Sequence, residues 1–208
     1  MKAALEARDY DAVAAIVLDD PKALNRLISF AMNKDELVCW HAIEAMGVAA
    51  GLLSRINLEA VRNTVRRILW SAREESGGMG WSAPELLGEI VSANPRGFDD
   101  MPPIIVSLHT EDEEGVFLRG VLWAVRRMAE GGVTGVEGAD EVVRLGLRRD
   151  EADIRGLAAM AAAALRTPGA AELVEGLAED ERSFRYYQDG EYVEARVGDV
   201  ARQALEMI

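Results

Sequence analysis

The sequence predicts an all-α fold, an α-α superhelix of stacked helical hairpins that carries one small C-terminal β-hairpin insertion. Three observations predict it. Half of the 208 residues are hydrophobic but only 6% are aromatic, with alanine and leucine dominating the apolar share. That balance suits close-packed helices better than a sandwich of strands, which wants β-branched and aromatic residues. Similar segments recur at intervals of about forty residues. One stretch near the C-terminus alternates in the manner of paired strands around a tight turn.

The repeat is read from aligned segments. Trp40-His41-Ala42-Ile43-Glu44-Ala45-Met46-Gly47 matches Trp81-Ser82-Ala83-Pro84-Glu85-Leu86-Leu87-Gly88, 41 residues later. Arg119-Gly120-Val121-Leu122 matches Arg155-Gly156-Leu157-Ala158 at a spacing of 36. A last copy, Val200 to Leu205, places Arg202 in the same column. Between the copies, Leu58 to Arg73 carries Val61, Val65, Ile68 and Leu69 on one helical stripe, and Met101 to Leu108, Asp140 to Leu147 and Ala170 to Leu177 carry shorter ones. Ser82-Ala83-Pro84-Glu85 and Thr110-Glu111-Asp112-Glu113 read as capping boxes at helix starts. About five hairpins result in a single domain over residues 1–208, with residues 1–31 as capping helices, 183–197 as the β-hairpin and 198–208 as a terminal helix.

Phe184 to Ala195 reads as a β-hairpin whose type I′ turn is Asp189-Gly190. This register pairs Tyr187 with Tyr192 and Arg185 with Glu194. Phe184, Tyr186, Val193 and Ala195 then share an apolar face, and the opposite face is amphipathic.

An acidic residue, five steps, an arginine and then a small-residue helix is the look of the second helix of a HEAT repeat. Asp150 to Arg155 followed by Ala158 to Leu165 resembles it, as does Glu114 to Arg119. Val197 to Leu205, preceded by a hairpin, resembles the last repeat of phycobilisome-lyase-like HEAT proteins. Ser71 to Ile90 is similar to a small HEAT-repeat family of anaerobic, often sulfate-reducing, bacteria. Trp40 and Trp81 stand where the repeat pattern has arginine, which breaks a continuous charged ladder.

Composition narrows function. The net charge is −13, and the arginine pairs fall toward helix C-termini, where they complement the helix dipole; nucleic-acid binding is disfavoured. The single cysteine, Cys39, permits no internal disulfide. No export signal is evident at the start, and no uninterrupted run of eighteen apolar residues occurs, so a cytoplasmic protein without a membrane partner is expected. Cys39 and His41 are two apart, which on a helix sends them to different faces, and no metal or cofactor motif accompanies them. No catalytic set is recognised.

Gly77-Gly78-Met79-Gly80 interrupts the array. Its spacing fits neither a phosphate loop nor a dinucleotide fingerprint, and Glu74 and Glu75 would repel a phosphate. Two readings stay level: the glycines serve a sharp turn, or a tight loop of Gly77, Gly78 and Gly80 flanked by Trp70, Arg73 and Trp81, with Glu85 following, grips a partner. The expected function is a non-enzymatic scaffold receiving a protein or peptide segment on a concave helical face lined by Trp40, Trp81, Arg119 and Arg155. The resemblance also raises a bilin-lyase-like or other cofactor-attachment enzyme, and more remotely a HEAT-like DNA repair protein.

Overall fold

The structure, a computed structural model, describes residues 1–72, 82–111 and 116–208. It is mostly helical, with twelve α-helices and one two-stranded antiparallel sheet among those residues. Three helices open the chain: α1 (Lys2–Glu6), α2 (Tyr10–Asp19) and α3 (Leu24–Phe30). They are followed by α4 (Leu37–Ser54), α5 (Leu58–Ala72), α6 (Ala83–Ala93), α7 (Pro102–Ser107) and α8 (Val116–Glu130). Then come α9 (Ala139–Leu147), α10 (Ala152–Leu165) and α11 (Ala171–Glu175), the strands β1 (Ser183–Gln188) and β2 (Glu191–Arg196), and α12 (Val197–Leu205).

The even-numbered helices pack in series, α2 on α4, α4 on α6, α6 on α8, α8 on α10 and α10 on α12. Of the odd-numbered helices, α5, α7 and α9 each pack against two members of that row. The stripes explain this. Val61, Val65 and Ile68 of α5 are buried at three- and four-residue spacing, and the alanines of α10 at positions 158, 159, 161 and 162 let two neighbouring helices approach closely. One continuous core runs from Leu5 to Ala204. Within it α4 has the length and hydropathy to cross a membrane, but 67% of its 18 residues are buried inside the molecule.

Two sequence expectations change. Ser82 stands at the N-cap of α6, but its side chain makes no capping bond, and Glu85 turns instead to Lys34. The capping box at Ser82 is therefore not formed, because its acid is committed to a distant cation. The second box lies partly outside the described residues, since Asp112 and Glu113 are not among them. The second change concerns the hairpin. Its register is the predicted one, Tyr187 opposite Tyr192 and Arg185 opposite Glu194, and Asp189 and Gly190 take the positive φ of +52° and +96° that a type I′ turn needs. Yet Tyr187, on the face expected to be amphipathic, is 3% exposed. Both faces of the hairpin are engaged, and it lies across the helical row rather than standing off it.

Candidate functional site

The hairpin bridges the two ends of the row. Near its base, Phe184 sits directly on Gly156 of α10, where a Cβ would come within 2.0 Å of the ring, and Tyr186 stacks on Phe184 with centroids 5.2 Å apart. The same column in the preceding repeat holds Gly120, and there the Glu85 carboxylate takes the vacated space, 2.6 Å from where a Cβ would be. The repeated Arg-Gly pair thus gives each helix a bare patch of backbone on which a neighbour rests.

At its tip the hairpin reaches α4. Tyr187 stacks on Trp40 at 5.1 Å and 7°, and its hydroxyl donates to Glu44 Oε2 at 2.6 Å. Tyr10 of α2 donates to the same oxygen at 2.5 Å. Burial, and then the Glu44 carboxylate, push the Tyr10 phenol up to about 12 and shift Tyr187 in the same direction. Tyr192 donates to the Lys34 carbonyl. His41, 6% exposed, places Nδ1 3.0 Å from the Leu5 carbonyl and Nε2 3.0 Å from the Gly190 carbonyl. Both partners only accept, so the ring donates to one when neutral and to both when protonated. The Arg8 guanidinium covers Gly190 from the outside.

Between the hairpin and the row lies a chamber of about 360 Å³. Its walls are mostly apolar: Trp40 of α4, Trp123 of α8, Leu157 of α10 and the two tyrosines of β1, Tyr186 and Tyr187. Trp40 and Trp123 meet at 5.7 Å and 53°. Charged groups come from helix starts and the hairpin, as Lys34, Glu85, Arg119, Asp153 and Arg185. Lys34 Nζ is 2.5 Å from Glu85 Oε1, and Arg119 is bonded to Asp153 through both Nε and Nη2. Arg185 stacks over Tyr192 at 4.4 Å and lies 3.6 Å from Asp35. Behind Trp123, Arg127 binds Glu89 at 2.6 Å and lies over the indole at 5.7 Å. Burial pushes the Glu89 carboxyl up against the opposing pull of that guanidinium.

Of the residues singled out by sequence, Trp40, Glu85 and Arg119 meet in this chamber. Arg155 does not line it. That side chain binds Asp180 at 3.0 Å, Asp150 at 3.4 Å and the Arg149 carbonyl, and so fixes the segment leading into β1. Trp70 is 62% exposed on α5 and forms no part of the chamber wall. Arg73, Gly77, Gly78, Gly80 and Trp81 lie outside the described residues. The chain's own hairpin covers part of the helical surface around Trp40, because Tyr187 stacks on that ring and Tyr192 donates to the Lys34 carbonyl. Sequence reasoning missed Lys34, Asp153, Arg185 and Tyr187 as site residues. Tyr187 was concealed because its face of the hairpin also carries Arg185 and Glu194 and so reads as amphipathic, whereas the repeat column of Arg119 pointed to its own position.

No family model matches the chain. A protein of Archaeoglobus fulgidus, described as "Uncharacterized protein", is 26% identical over 184 residues, which cover 88% of this chain and 95% of that protein. The two are thus similar along most of their length.

Proposed function

We propose that the chain is a non-enzymatic binding scaffold of HEAT-like helical hairpins, and that it takes a segment of a protein partner at the mouth of the chamber. The observation that carries this reading is the chamber itself, an apolar space of about 360 Å³ ringed by tryptophan, tyrosine and arginine. Those residue types supply most binding energy at protein interfaces, and the volume falls in the range of formed binding pockets. The serial packing of helices at repeat spacings of 36 to 41 residues, widened to 47 where the hairpin is inserted, supports the HEAT-like reading, since such arrays build extended binding surfaces from short repeats. The partner surface is then composite, made by helix starts on one side and the hairpin edge on the other.

The test is affinity capture from cells that produce the chain, with the wild-type protein compared with Arg185→Glu. Arg185 is 57% exposed, so its reversal changes the chamber mouth, and far-ultraviolet circular dichroism checks that the helical fold is kept despite the facing Glu194. A protein recovered by the wild type and lost with Arg185→Glu is the expected result. Equal recovery of every captured protein by both forms overturns the reading.

A further inference from the structure

Glu85, which lines the chamber and lies against Gly120 of α8, leaves one hydrogen-bonding demand open. Glu85 is 2% exposed at its side chain; Oε1 is held by Lys34, and Oε2 is buried with no hydrogen-bond donor among the described residues. A buried acceptor without a donor is costly, and native structures supply one from water or a ligand when the protein does not.

Charge defines the ligand further. Each cation lining the chamber already faces a carboxylate: Lys34 faces Glu85, Arg119 faces Asp153 and Arg185 faces Asp35. An added cation or anion would enter a desolvated space without a counter-charge. The walls offered by Trp40, Trp123 and Leu157 favour a flat apolar body, because aromatic rings gain from offset and edge contacts with one another. A neutral ring carrying one N–H or O–H donor satisfies all of these conditions.

We infer that the chamber receives a tryptophan or tyrosine side chain of the partner. The indole N–H or phenol O–H donates to Glu85 Oε2, and the ring lies among Trp40, Trp123 and Leu157. That the side chain belongs to a protein rests on the binding-scaffold reading; the pocket can be tested without the partner.

The experiment titrates the full chain with N-acetyl-tryptophanamide, N-acetyl-tyrosinamide and N-acetyl-phenylalaninamide, and follows the indole N–H resonances of Trp40 and Trp123. The tryptophan and tyrosine amides should shift both resonances, with the phenylalanine amide binding roughly tenfold more weakly for want of a donor. Glu85→Gln, which keeps the volume, should erase that preference. Leu157→Trp, which fills the chamber, should abolish binding of all three. The inference is overturned if the phenylalanine amide binds as tightly as the others, if the preference survives in Glu85→Gln, or if no amide shifts either indole. The wild-type comparison alone decides the point should a variant fold poorly. Amide binding without any capture dependent on Arg185 would remove the scaffold reading and leave the pocket. Such capture without amide binding would remove the pocket alone.

Discussion

Tyr187 meets α4 through its ring and through its hydroxyl, and substitutions separate the two contributions. Tyr187→Phe keeps the stack on Trp40 and removes the bond to Glu44, so a loss of about 1–2 kcal/mol in urea unfolding is expected. Tyr187→Ala removes both and should cost about 3–5 kcal/mol. Equal losses from the two variants would mean that the ring contributes nothing. Asp180 gives a second residue-scale test. Arg182 first, and then Arg155, hold its carboxyl well below the usual carboxylate range. A carboxyl depressed in the folded state stabilises the protein above its unfolded value near 4, and that contribution is lost as pH falls toward the folded value. Asp180→Asn should therefore be less stable than wild type by about 1–3 kcal/mol at pH 7, with the gap narrowing as pH drops below about 4. A gap that stays constant across that window would contradict the assignment. At this scale the chain was partly legible. Arg119 and Trp40 stand out because their columns repeat, but nothing local marks Glu44 as the acceptor for two phenols 34 and 143 residues away.

Among the elements, the hairpin was the most fully legible and also the most misleading. Asp189-Gly190 specifies the turn and hence the register, since a two-residue loop leaves only one pairing. What the outward face of β1 touches was not legible, because its partners belong to α2 and α4. The Ser82 box failed for a related reason: a local rule assigned Glu85 to its own helix end, and a cation before α4 competed for it. The seat of Phe184 on Gly156 allows the element to be tested as a unit. Gly156→Ala drives a methyl group into the ring and should cost about 1–3 kcal/mol. Because the disturbance enters at the base of the hairpin, the near-ultraviolet circular dichroism of the Tyr187–Trp40 stack should weaken while far-ultraviolet helicity is kept. An unchanged aromatic signal would show that α10 yields instead.

For the molecule as a whole, 36 acidic against 23 basic residues give a field that repels a phosphate backbone. No electrophoretic shift of duplex DNA is expected at physiological salt with low-micromolar protein; a shift that weakens steeply with added salt would show a basic surface outweighing the net charge. The hairpin matters at this scale in another way. In a row where each helix touches only its neighbours, either end can fray alone, and stability is close to a sum of local terms. Here His41 meets Gly190 across 149 residues and Tyr192 meets Lys34 across 158. These contacts turn an open ladder into a closed loop. Opening the first helices would expose the hairpin tip, and releasing the hairpin would unseat the first helices, so the two ends are expected to melt as one unit. Amide exchange in α2, α4 and α12 should then share a single opening free energy, which Tyr187→Ala would split into separate values for each end. Closure also has a kinetic side: contacts this distant in sequence carry a loop-closure cost and are expected to slow folding relative to an open row of the same helices.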